Sequence, residues 1–127
     1  HTRFDFRSPK KLAQALIDDQ LSLDHNFCFT VHESQHNALT NLACLSSERS
    51  NILLSVLSNQ KGLQVYTPFQ LGEPTFSDHI SPQDYPAICL EPQAWPDSPR
   101  FEHFGSILVD ESQPYLHKTQ FKFTRLK

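Results

Sequence analysis

The residues best suited to chemistry sit on stretches whose polarity alternates. In Ile88-Cys89-Leu90-Glu91-Pro92-Gln93 an apolar run ends in a carboxylate that a proline closes. Side chains alternate faces along a strand, so Cys89 and Glu91 point one way while Ile88 and Leu90 point toward a core. Pro92 has no backbone donor and is expected to stop the ladder, leaving Glu91 mounted at the rim of a sheet. A rigidly held, semi-exposed carboxylate suits acid–base work. Asp24, opposite Leu23, His25 and Phe27, and Gln64, opposite Leu63 and Val65, stand on polar faces in the same way. A carboxylate accepts hydrogen bonds while an amide both donates and accepts, a pairing able to read hydroxyl groups. Taken singly, each is also what an ordinary solvated strand residue looks like. The expectation is that one open sheet face collects all three.

A second motif competes. His32-Glu33-Ser34-Gln35-His36 spells H-E-x-x-H, in which two histidines one helical turn apart bind zinc and the glutamate activates water. That chemistry requires a helix, because only a helix puts positions i and i+4 on one face. Here the preceding residues alternate as a strand, Asn37 is a turn former, and His79, His103 and His117 lie in unrelated contexts. A polar hairpin turn is the favoured reading, a zinc peptidase the alternative, and no metal is assigned.

The elements that must position these groups follow from the bulk numbers and the pattern. The chain has 127 residues, 38% hydrophobic and 20% charged, enough for one globular unit with a core. Its longest apolar runs, such as Ile52-Leu53-Leu54, are too short to cross a bilayer, so no membrane partner is expected. A net charge of −3 argues against nucleic acid. Lys118, Lys122, Arg125 and Lys127 alternate with Thr119, Phe121 and Phe123, which reads as a solvated strand face. Cys28, Cys44 and Cys89 form no close pair and fit reduced thiols in a cytoplasmic protein. Methionine is absent and the chain opens on His1, which suggests a fragment or processed piece.

In order, Thr2 to Arg7 alternates as a short strand. Ser8-Pro9 then reads as a helix cap followed by proline at the first helical position, with Leu12, Leu16 and Ile17 as the apolar stripe. Strands are expected over residues 21–31, 39–45, 51–57, 63–67 and 88–91, and again over 106–109 and 115–124. Seven of the nine prolines lie between Pro68 and Pro99, so that third is expected to be mostly irregular. The sum is a mainly β, antiparallel, meander-like unit with one short helix.

Several stretches in order resemble the aldose 1-epimerase (galactose mutarotase) family. They are Phe4-Asp5-Phe6-Arg7, Asp24-His25-Asn26-Phe27, Gly62-Leu63-Gln64-Val65-Tyr66-Thr67, Cys89-Leu90-Glu91-Pro92-Gln93 with Pro96-Asp97-Ser98-Pro99, and His117-Lys118-Thr119-Gln120-Phe121-Lys122-Phe123. The resemblance implies that residues 1–127 are the C-terminal portion of a β-supersandwich enzyme that interconverts the anomers of free aldoses without a cofactor. It implies Glu91 as catalytic base, and Asp24 and Gln64 as binders of the sugar. The acid, a histidine, belongs to the N-terminal part of that fold, so this part becomes an expected partner and the isolated chain is expected to be inactive. The sequence departs from the family spelling at Ala94-Trp95, where a histidine is usual. Trp95 is a candidate to stack on a sugar face or simply to pack. The competing class is a non-catalytic carbohydrate-binding domain of the same fold.

Overall fold

The computed structural model describes residues 2–16, 22–30, 38–68, 87–112 and 114–126. The mainly β expectation holds. The strands are β1 (Asp24–Cys28), β2 (Thr40–Ser47), β3 (Ile52–Ser58), β4 (Gly62–Tyr66), β5 (Cys89–Gln93) and β6 (Thr119–Arg125). They form two three-stranded antiparallel sheets, ordered β1-β4-β5 and β2-β3-β6. Contacts divide the chain into two compact units, residues 1–25 with 65–89 and residues 26–64 with 90–127.

In the first unit the opening residues turn instead of forming the expected strand. The Asp5 N–H donates to the Thr2 carbonyl at 3.1 Å, and Arg7 grips the Asp5 carboxylate through Nε at 2.9 Å and Nη2 at 2.7 Å. The guanidinium holds the Asp5 carboxyl well below the usual carboxylate range. Alternating polarity here therefore records a local ion pair rather than a pleat. The expected helix is only a 3₁₀ turn, Leu12–Gln14, whose leading residue Lys11 is extended and gives it no side-chain cap. The Ala15 carbonyl, which a continuing helix would use, accepts from Arg3 Nη1 at 3.1 Å. The core of this unit includes Ala15, Leu23 and Thr67. Thr67 bonds Leu23 twice: its hydroxyl accepts the Leu23 N–H at 2.8 Å and its own N–H donates to the Leu23 carbonyl at 2.9 Å.

In the second unit β2 and β3 make a hairpin whose last turn residue, Asn51, has φ of 53°, a left-handed conformation that asparagine tolerates better than most side chains. The hairpin carries a bulge at the buried Leu42, between the paired Asn41 and Ala43. On one sheet face Val56 faces Ala43 and Phe121, and Leu54 faces Leu45 and Phe123. Val56 is wholly buried, whereas Phe121 and Phe123 are 50% and 69% exposed, and every residue of β6 is exposed. Lys122 does alternate with these phenylalanines, as expected, but the phenylalanine face is exposed as well.

Two strand expectations need correcting. Residues 106–109 form no strand: Leu108 N–H turns back to the Ser106 hydroxyl at 3.1 Å, and Ser112 N–H caps onto Asp110 at 2.7 Å. The 115–124 strand begins only at Thr119, because the preceding backbone bonds the Asn59 side chain, with the Lys118 N–H donating to Oδ1 at 2.9 Å and Nδ2 donating to the Leu116 carbonyl at 2.8 Å. Pro92 does not end β5, which runs to Gln93. β5 is last in the order β1-β4-β5, and an edge strand tolerates a residue that cannot donate.

Burial separates the two sheets' apolar residues energetically. Replacing Leu63, 2% exposed, by alanine is expected to lower unfolding free energy by about 2–5 kcal/mol in urea titrations. Replacing Phe123 by serine is expected to change it by no more than about 0.5 kcal/mol. Equal losses would place the β6 phenylalanines in a core.

Candidate functional site

Antiparallel pairing fixes the level of each candidate. Leu23 pairs with Thr67 in the first unit, and in the second the Phe29 N–H donates to the Lys61 carbonyl at 2.8 Å. Positions that climb along β1 descend along β4, which sets Asp24 across from Tyr66 and Asn26 across from Gln64. Gly62 approaches β5 so closely that an added Cβ would lie 3.0 Å from the Gln93 carbonyl oxygen. Two residues on along β4 and two back along β5 lie Gln64 and Glu91, at the same level of the sheet to within a residue.

Each candidate is more exposed than its two neighbours in sequence. Asp24 is exposed beside buried Leu23, and its N–H donates to His25 Nδ1 at 3.0 Å, while the His25 ring stacks on Phe4 at 4.3 Å. Gln64 is half-buried between buried Leu63 and Val65. Glu91 is exposed between half-buried Leu90 and Pro92, and no described residue pairs with its carboxylate. Within the second unit, then, an open carboxylate and an amide occupy neighbouring strands.

Sequence reasoning missed the group that sets this spacing. The Asn26 side chain lies over Gly62, where an added Cβ would stand 2.9 Å from its Oδ1 and 3.0 Å from its Nδ2. Oδ1 accepts weakly from the Cys28 thiol at 3.8 Å, which local desolvation pushes up from its ordinary pKa. Nδ2 is buried with no partner among the described residues, an arrangement that costs about 1–3 kcal/mol. The available signal was a glycine opening a strand, which marks a close approach.

Trp95 packs rather than standing free. Its Nε1 donates to the Lys61 carbonyl at 2.6 Å and its ring meets Phe104 edge-on at 5.3 Å. The three cysteines are free thiols. Among the described residues no group of three His, Cys, Asp or Glu side chains could hold a metal, and the His32–His36 motif lies outside the described residues.

Crowding around Gly62 gives a direct check. Gly62→Ala is expected to destabilise the chain by about 1–3 kcal/mol through overpacking. Adding Asn26→Ala should recover part of that loss in the same urea titration, because it removes the side chain that the new methyl strikes. An alanine at position 62 that costs nothing would show that Asn26 and Gln93 do not crowd it.

Comparison with known proteins places this geometry. The family model described as aldose 1-epimerase matches residues 1–122. The chain is 33% identical over 125 residues to galactose mutarotase of Homo sapiens and 35% identical over 126 residues to that of Rattus norvegicus, covering 97% of this chain in both cases. It is 31% identical over 129 residues to aldose 1-epimerase of Haemophilus influenzae. It spans only 35% of the length of the two mammalian proteins and 36% of the bacterial one. The match runs from the Asp5–Arg7 turn through β1, β4 and β5 into β6, and the chain belongs to the aldose 1-epimerase family.

Proposed function

We propose that the protein containing this chain is an isomerase that exchanges the α and β anomers of a free hexose, with Glu91 as its base and Asp24 and Gln64 binding the sugar. Family membership supports the reaction class. The observation that carries the assignment of the base is the exposed Glu91 carboxylate, unpaired among the described residues and level with Gln64 on the neighbouring strand. The relatives' names, galactose mutarotase and aldose 1-epimerase, make a galactose-like aldose the substrate to try first.

The reaction needs a base and an acid. Glu91 takes the proton of the anomeric hydroxyl while an acid protonates the ring oxygen. The C1–ring-oxygen bond breaks and the carbonyl forms. Rotation about the C1–C2 bond presents the other carbonyl face, and reclosure returns both protons and yields the other anomer. Asp24 accepts from a sugar hydroxyl, and Gln64 can donate to one and accept from another. The acid comes from the part of the fold beyond this third of the family's length, so the 127-residue chain alone does not turn over.

Polarimetry of freshly dissolved α-galactose is expected to show no acceleration by the isolated chain. In the complete protein Glu91→Gln should lower kcat by at least about a hundredfold. Asp24→Ala and Gln64→Ala should act mainly by raising KM. A Glu91→Gln protein at full rate would remove Glu91 from its role. Sugar binding without turnover in the complete protein would select the carbohydrate-binding reading instead.

A further inference from the structure

A second concavity lies wholly within the unit formed by residues 26–64 and 90–127. It is a cavity of about 550 Å³, inside the range of small-molecule sites. None of Asp24, Gln64 and Glu91 lines it. Its walls are the segment between β3 and β4, the residues following β5, and the loop that leads to β6.

The lining has a definite chemistry. In a chain with more acidic than basic residues, 14 against 11, this wall contains no carboxylate among the described residues. It contains one ammonium, that of Lys61, which has no carboxylate or carbonyl partner among the described residues. Gly105, at φ of 92°, lets the backbone pass close to that ammonium: an added Cβ would stand 3.1 Å from Nζ. The lining also includes the rings of Trp95, Phe104 and Tyr115, the amides of Asn59, Gln60 and Gln93, and Leu108 and Leu116, 85% and 47% exposed.

These walls are held from behind. Trp95 is fixed by its bond to the Lys61 carbonyl. The Ser58 hydroxyl donates to the Lys118 carbonyl at 2.8 Å and so accepts from Thr119 at 3.2 Å. Thr119 in turn accepts from His117 Nε2 at 3.0 Å, and His117 Nδ1 accepts the Tyr115 hydroxyl proton at 3.1 Å. The chain of donors runs one way, anchored at the wholly buried Ser58, and leaves the Tyr115 oxygen as an acceptor. A lone ammonium beside three aromatic rings suits a ligand with one negative charge and a flat apolar body.

We propose that this cavity binds a small amphipathic organic anion, a carboxylate or phosphate ester on a flat apolar body, with its charge on Lys61 and its body against Trp95, Phe104 and Tyr115. The cation supplies orientation and the rings supply area. The site is independent of the sugar-isomerising assignment and stands or falls by itself.

A matched pair of probes tests it: anilinonaphthalene sulfonate, and phenylnaphthylamine, which has the same rings without the anion. Binding is read from the rise in each probe's own fluorescence. The sulfonate should saturate one site on the complete protein and bind about tenfold more tightly than the neutral compound. Lys61→Met should abolish that difference while leaving the neutral compound's affinity unchanged, and Lys61→Arg should keep it. Lys61 ties the strands through its carbonyl, which these variants retain. Equal affinity of the wild-type protein for both probes, or an unchanged preference in Lys61→Met, would overturn the proposal. Loss of binding in Phe123→Ser would also overturn it, by placing the probe on the exposed β6 face.

Discussion

One carbonyl and one missing side chain organise the sheet that carries the candidate site. The Lys61 oxygen accepts two hydrogen bonds, from the Phe29 N–H just past β1 and from the Trp95 indole just past β5, so one atom ties the chain beyond both outer strands to the head of β4. The next residue, Gly62, is where Asn26 and the Gln93 backbone come closest, and no β-carbon fits there without displacing one of them. From that crossing the antiparallel register follows residue by residue, and with it the levels of Gln64 and Glu91. A base that acts on a sugar hydroxyl must sit within hydrogen-bond reach of it. The level of Glu91, the proposed base, is set by backbone contacts two residues away, not by partners of its own carboxylate.

The same constraint separates what was readable in the sequence from what was not. Alternation is clearest in β4, where Leu63 and Val65 are buried around half-buried Gln64, whereas β2 and β3 are legible as apolar runs on either side of a polar turn. It misleads at Thr2 to Arg7, where Arg7 and Asp5 satisfy each other locally and the backbone turns. Among the described residues the helix expected from Ser8-Pro9 is a 3₁₀ turn, and the Ala15 carbonyl beyond it is taken by Arg3, a bond across twelve residues that no local pattern contains. Pro92 reads as a stop only when the edge position of β5 is unknown. In the candidate site, Asp24, Gln64 and Glu91 were legible as polar positions on their own strands. The packing of Asn26 against Gly62 was not, because it depends on which strand lies beside which.

The β2-β3-β6 sheet has another character. Its register is regular and its centre, Val56, is fully buried, yet Phe121 and Phe123 stay exposed on β6. The head of β4 thus serves two regions through one residue. The carbonyl of Lys61 fixes the sheet of the candidate site, while its ammonium is the one lysine or arginine charge among the described residues that line the neighbouring cavity. Main chain and side chain of a single residue thus meet different neighbours.

The most direct measurement is a crystal structure of the complete protein with galactose bound. The account predicts a Glu91 carboxylate oxygen within about 2.6–3.2 Å of the anomeric oxygen, with the Gln64 amide hydrogen-bonded to the same sugar. A sugar bound with Glu91 turned to solvent, or seated away from β4 and β5, would contradict it.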